Sequence, residues 1–247
     1  MVRQFWRICR KKIRQDGGIR FIQCLLKAYG ITAGASLVGI ASAEAFQFAP
    51  QGCHPADVLP GCRSVIVLAV PFPKAALTDA SVEYIDVRNE MNARVNDIAK
   101  AVAKQIKASG CQVKALNGMG GKWVDGRQIG HISLKHAAEL AGLGVITRNY
   151  LLTNAQYGNL LWFSAVLTDL ALTPDEKAAD FDCGGCRLCV EGCPSGALDI
   201  PGDFGRKKCD GHCFQMEERK WKIRCFQCRA VCPNRFGKKM CRRDSDE

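Results

Sequence analysis

The feature that most restricts this chain is a run of four cysteines, Cys183, Cys186, Cys189 and Cys193, spaced by two, two and three residues and followed at once by Pro194. Three thiols at three-residue steps sit on one tight loop, while the fourth, displaced onto the next turn, faces away. Pro194 stops the chain from folding back. A partial copy follows in Cys225, Cys228 and Cys232, closed again by a proline, Pro233. Ten of the fifteen cysteines lie between Cys183 and Cys241 and only five in the first 182 residues, so the thiols serve a local purpose.

This spacing is that of iron-sulfur ligation, in which the first three cysteines of a run hold one cluster and the fourth serves the other. A zinc ribbon would present two separated Cys-x2-Cys pairs instead of a triple followed by Cys-Pro. The second motif has three cysteines, and its missing ligand is most simply Cys209, sixteen residues after Cys193, with Cys213 as the alternative. Crossing the fourth cysteines then yields two [4Fe-4S] clusters. One uses Cys183, Cys186, Cys189 and Cys232; the other uses Cys193, Cys209, Cys225 and Cys228. Cys241 is left free in the tail, and the scattered Cys9, Cys24, Cys53, Cys62 and Cys111 read as buried apolar cysteines. Clustered thiols of this kind fit a reducing, cytoplasmic location.

A chain of 247 residues with 47% hydrophobic and 24% charged residues is long enough to bury a sizeable core, which excludes wholesale disorder and multi-span membrane insertion. Its formal charge of +11 is concentrated at the ends. Residues 1–28 carry eight Lys or Arg against Asp16 alone, and residues 201–247 carry thirteen against seven acids. Such ends suit an acidic protein partner, an anionic surface or RNA phosphates. The uncharged stretch Gly30 to Ala43 resembles a signal peptide, but it is poor in large aliphatics and too short to span a bilayer, so neither export nor a membrane span is expected.

Ahead of the cysteines the chain alternates helical and strand patterns. Helical spacing marks Gly18 to Tyr29 and Asn89 to Ser109, and Gly130 to Leu140 reads as a third helix. Strands are expected at Ser36 to Ala41, Arg63 to Pro71 and Gln112 to Leu116, followed by two neighbouring strands around Asn149 to Thr153 and Leu160 to Asp169. The polar stretch Thr173 to Asp182 marks a boundary near residue 178. Three units result: a basic amino-terminal helical segment (1–30), an α/β domain (31–178) and a cysteine-rich domain with a basic tail (179–247). No G-x-G-x-x-G opening a helix, no P-loop and no H-E-x-x-H is present. Two clusters make an electron wire, and the larger domain is expected to hold the electron acceptor.

Ala141-Gly142-Leu143-Gly144, Asn149-Tyr150-Leu151-Leu152, Tyr157-Gly158 and Val166-Leu167-Thr168-Asp169, followed by this cysteine arrangement, resemble the epoxyqueuosine reductase family over roughly residues 33–236. The resemblance implies an α+β fold: a nitroreductase-like, cobalamin-binding domain, akin to that of reductive dehalogenases, fused to a ferredoxin-like domain with two [4Fe-4S] clusters. In that family the clusters reduce cobalamin to its Co(I) state, which removes the epoxide oxygen from a modified tRNA base. It further implies that Gly142, Gly144, Asn149 and Tyr157 contact the cofactor.

Two departures from the family bear on function. Family members carry a helical-repeat domain after the clusters that helps to hold tRNA, whereas this chain stops at Glu247, so a short form without that grip is expected. The family's acidic proton donor, about thirteen residues before Ala141, is replaced by Gln128. Asp125, His131, His136 and Glu139 lie nearby, and His131 is the substitute whose ordinary pKa suits proton transfer near neutrality. The expectation is an iron-sulfur oxidoreductase that takes low-potential electrons from a ferredoxin or flavodoxin and delivers them to a corrinoid. The alternative is an electron carrier or reductive activator for a partner's cofactor. The partner would be an acidic protein or tRNA.

Overall fold

The computed structural model describes residues 16–124, 127–179, 183–200 and 204–237. The basic stretch before Asp16, with Cys9, lies outside the described residues, as do Asp125 and the tail with Cys241; the side chain of Gln128 is likewise not described.

The body of the fold is a four-stranded antiparallel sheet, in the order β1 (Leu37–Ser42), β2 (Ser64–Pro71), β8 (Leu161–Thr168) and β3 (Val113–Ala115). Strand β2, SVIVLAVP, is buried along nearly its whole length because both faces of the sheet are covered. Ile66, Leu68 and Val70 point to one side, where they meet α1 (Asp16–Thr32) and the long α2 (Tyr84–Ala108). Val65, Val67 and Ala69 point to the other, against Ala137, Ala138 and Ala141 at α3 (Leu134–Leu140). Helix α2 follows its apolar spacing, burying Met91, Val95, Ile98, Val102 and Ile106 on one stripe. It begins at Tyr84, earlier than the spacing predicts, since Tyr84 and Ile85 are also buried. The signal-like stretch supplies β1, and no helix among the described residues is long and apolar enough to cross a membrane.

Three expectations are revised. Gly130 is the last residue of β5 (Arg127–Gly130), the hairpin partner of β4 (Gly121–Val124), so α3 begins only at Leu134. The segment around Asn149 to Thr153 does not pair with β8: β7 (Leu152–Thr153) pairs with β6 (Val145–Ile146), because β2 and β3 already occupy both edges of β8. Cys24 is exposed on α1, while Cys53 and Cys62 are buried as expected.

The polar stretch after β8 is strapped along the edge strand β1. Asp175 N–H donates to the Ile40 carbonyl at 2.8 Å, Ile40 N–H donates to Asp175 Oδ2 at 2.8 Å, and Lys27 Nζ pairs with Asp175 Oδ1 at 2.5 Å. Beyond it, α4 (Arg206–Cys213) leads into a hairpin of β9 (Phe214–Glu217) and β10 (Lys220–Ile223). This cysteine-rich part docks on the body through aromatic stacking. Phe226 stacks on Tyr84 at 4.7 Å, Tyr84 on Phe72 at 5.4 Å, and Phe204 on Tyr150 at 5.3 Å. Its own core is small: Cys189, Val190 and Leu198, with Tyr150 and Val231 alongside.

Candidate functional site

The cysteine-rich part buries little apolar surface of its own, so its loops depend on what its thiols hold. Burial pushes the Cys189 thiol up from its ordinary pKa, and the neighbouring Cys183, Cys232 and Cys186 push it the same way. Cys232 is raised by burial and by Cys183 and Cys186. These four therefore share one neighbourhood, although Cys232 comes from the second motif. A second set gathers around α4. Burial, then Cys213, Cys228, Asp210 and Cys225, drive Cys209 up to about 12. Cys228 reaches about 11 through burial, opposed by Arg229 and reinforced by Cys225, Cys193 and Cys189. Cys228 thus feels thiols of both sets, which makes the two neighbourhoods contiguous.

Cys193 differs. Burial works to raise it, but hydrogen bonds from the Ser195 hydroxyl and from backbone groups of Leu198, Ser195 and Ala197 outweigh burial and hold it below its usual value. Cys213 shares a face of α4 with Cys209, four residues apart, yet its thiol donates to the Cys225 carbonyl at 3.0 Å, so its hydrogen is already committed. Among the described residues no group of three His, Cys, Asp or Glu side chains is arranged to hold a single metal ion. A cube of iron and sulfide fills its own centre and takes one thiolate at each iron, so its ligands stand farther apart than those around one ion. The donor chemistry, thiols whose nearest carboxylate, Asp210, is held by Arg206, suits such a cube.

The second set opens into a cleft of about 930 Å³ between the body and the cysteine-rich part; Cys193, Cys209, Cys225 and Cys228 all line it. None of the first set does. That volume is at the upper end for a small-molecule site. Its walls carry the cations Arg88, Lys135, Arg206 and Arg229 against one carboxylate, Asp210, which Arg206 Nε engages at 2.9 Å. Lys135 Nζ donates to the Tyr150 carbonyl at 3.0 Å and lies 5.2 Å from that ring's centre; burial, with Arg206 nearby, lowers its pKa. Tyr150 holds this place with a left-handed backbone (φ 55°), uncommon for a non-glycine residue.

Of the candidates named from sequence, His131 and Asn149 line the cleft. His131 sits between β5 and α3. The neighbouring alternatives point elsewhere: His136 Nδ1 is hydrogen-bonded to Ser133 Oγ at 2.6 Å, and Glu139 Oε1 accepts from Ile146 N–H at 2.6 Å. Asn149 is buried and cross-linked, accepting from Thr147 Oγ1 at 3.0 Å and Leu151 N–H at 3.1 Å and donating to the Cys228 carbonyl at 3.3 Å. Gly142, Gly144 and Tyr157 are not among the residues lining the cleft. Gly142 (φ 72°) and Gly144 (φ 156°) instead let the chain turn where a Cβ would meet the Glu176 carbonyl at 2.2 Å and the Thr153 carbonyl at 2.4 Å. Tyr157 packs on the core beneath the sheet. Sequence reasoning missed Arg88, Lys135, Asn159 and Arg229, which carry no motif and become neighbours only through the fold.

Comparison with family models finds no match. The chain is 26% identical over 211 residues to an epoxyqueuosine reductase of Bacillus subtilis (strain 168), covering 74% of this chain and 50% of that protein. The solved structure of an epoxyqueuosine reductase with an epoxyqueuosine-modified tRNA-Tyr stem loop superposes with a TM-score of 0.64 at 22% identity, over 89% of this chain and 67% of that one. A reductive dehalogenase, solved in connection with B12-dependent dehalogenation, superposes with a TM-score of 0.64 at 23% identity, over 84% of this chain and 31% of that one. The chain spans about half the length of the Bacillus subtilis relative. Its sequence is similar to those of epoxyqueuosine reductases, and its mixed α/β fold is shared with them and with the reductive dehalogenases.

Proposed function

We propose that the chain is an iron-sulfur oxidoreductase of the epoxyqueuosine reductase kind, carrying electrons through two [4Fe-4S] clusters to a corrinoid held in the cleft. The observation that carries this reading is the placement of the thiols: two contiguous groups, one of Cys183, Cys186, Cys189 and Cys232 and one of Cys193, Cys209, Cys225 and Cys228 with Cys213, of which only members of the second line the cleft. Cys183, Cys186, Cys189 and Cys232 would hold the first cluster and Cys193, Cys209, Cys225 and Cys228 the second. Residues 179–247 then form the two-cluster unit and residues 31–178 the body that holds the acceptor. A bound corrinoid would supply a low-potential metal centre for reductive chemistry. A cleft of this size, apolar along Leu116, Ile132, Leu134 and Leu161 and studded with cations, fits a large flat ligand with polar substituents.

The protein's own groups have separable tasks. The loop through Cys183 and Cys186 has exposed Gly184, Gly185 and Leu188, and there an external ferredoxin or flavodoxin would deliver electrons. Asn149 ties the cleft wall to the backbone of Cys228. His131, which also lines the cleft, would hand a proton to the substrate. The substrate by this reading is the epoxide of a modified tRNA base, drawn in by the positive walls. A pure electron carrier has no use for such a cleft.

Anaerobic reconstitution followed by iron analysis and EPR tests the reading. About eight irons per chain are expected, falling to about four when Cys186 and Cys189, or Cys225 and Cys228, are changed to serine. Hydroxocobalamin should show a spectral change with the reconstituted protein, and an epoxyqueuosine-bearing tRNA stem loop should be turned over with a reductant. Markedly fewer than about eight irons per chain in the unaltered protein would overturn the cluster assignment.

A further inference from the structure

The β9–β10 hairpin carries apolar side chains that the described residues leave uncovered. Its register sets Phe214 opposite Ile223 and Met216 opposite Trp221, so these four share one face. At the base of the ribbon that face is occupied, because Ile223 is buried in the core of the body. Toward the turn it is bare: Met216 is 60% exposed and Trp221 57%. Glu218 (φ 48°) and Arg219 (φ 63°) form a two-residue turn whose left-handed pair matches the twist of the strands, so the ribbon is built to hold its shape. A tryptophan and a methionine side by side in water, rimmed by polar groups, mark a contact surface.

Charge and position identify what covers it. Residues 206–224 carry seven Lys or Arg against three acids. Arg206 holds Asp210 and Arg224 holds Glu217, which leaves Glu218 against Lys207, Lys208, Arg219 and Lys220. All four of these cations are exposed and form no ion pair among the described residues. Phe214, on the same face as Met216 and Trp221, lines the cleft, and the Arg88 guanidinium lies 5.9 Å from the centre of its ring. The bare face therefore runs outward from the cleft, and its occupant is continuous with whatever enters there. An electron donor at the loop of Cys183 and Cys186 has no such continuity, since neither residue lines the cleft.

We propose that the hairpin is a stacking platform for an unpaired RNA base. The base lies on the Trp221 indole beside Met216, and Arg219 and Lys220 meet the phosphates that flank it. Stacking on an aromatic face accepts any base, and the phosphate contacts add salt-dependent affinity. The inference deepens the tRNA reading above and rests on it for the occupant: one loop base is held outside the cleft while its neighbour enters.

Fluorescence anisotropy of the reconstituted full chain with a labelled, unmodified tRNA stem loop tests it, with an RNA duplex alongside. Trp221→Ala should weaken loop binding by about tenfold, Trp221→Phe should restore most of it, and duplex binding should not change, since a duplex offers no splayed base. Arg219→Gln with Lys220→Gln should flatten the slope of log affinity on log salt by about 1.4, the worth of two phosphates on a single strand. Iron content and melting temperature establish that each variant is folded; should Trp221→Ala fail there, Trp221→Leu, apolar but without a ring, is read in its place. Loop binding as tight in the Trp221 variant as in the unaltered protein overturns the platform, even if the epoxide is turned over. Equal losses for loop and duplex, or an unchanged salt slope, overturn it too. Loop binding that depends on Trp221, without turnover, would sink the substrate reading and leave the platform standing. Failure of the unaltered protein to bind the loop removes both. Loss of self-association or of ferredoxin binding in Trp221→Ala, with RNA binding intact, gives the face to a second copy or an acidic protein and overturns the RNA assignment.

Discussion

Asn149 shows how much one side chain can hold. Its carbonyl closes a turn on itself through Thr147 and Leu151, while its amide reaches across to the Cys228 carbonyl. Asn149→Ala leaves the Leu151 N–H and the Cys228 carbonyl unmet, while Thr147 keeps its bond to Thr153, and a loss of about 2 kcal/mol is expected, read as a melting temperature lower by roughly 4–8 °C. Gly142 does a different kind of work. Gly142→Ala adds a Cβ at 2.2 Å from the Glu176 carbonyl on a left-handed backbone, so it should destabilise by about 2 kcal/mol or more in a denaturant titration, without changing iron content. The family motif flags both residues alike as cofactor contacts. Only the fold separates a glycine that allows a turn from an asparagine that faces the cleft.

At the scale of elements, apolar pattern is decisive where a segment is buried on both sides. The run Arg63 to Pro71 reads as a strand from its sequence, and Ser64–Pro71 forms one, because every side chain from Ser64 to Val70 is buried. Leu68→Ala in that strand should cost about 2–5 kcal/mol by chemical denaturation, since the surrounding core of Leu26, Ile40 and Val166 cannot collapse to fill the gap. Short elements escape this logic. Strands β6 and β7 have two residues each, too few for a period, and their pairing with one another is set by the Asn149 turn and the crowding of β8.

At the scale of the whole molecule, the cysteine-rich part is held to the body by aromatic stacks, by Lys222 pairing with Glu83 at 3.2 Å, and by the strap through Asp175. Asp175→Ala removes the Lys27 pair and a hydrogen bond to β1 together. Faster proteolytic cleavage in the 170–182 segment is expected, with a stability loss of about 1 kcal/mol, and unchanged cleavage would show that the strap contributes nothing. The cysteine spacing by itself pointed to iron-sulfur ligation, with Cys232 crossing to the first set, because a cluster needs its ligands at fixed short steps along the chain, and the apolar runs determined the principal strands and the long helix. What faces what was decided by the tertiary structure alone. Asn159 and Arg229 come to share one cleft with Lys135 through contacts between segments far apart in sequence, which no local period encodes.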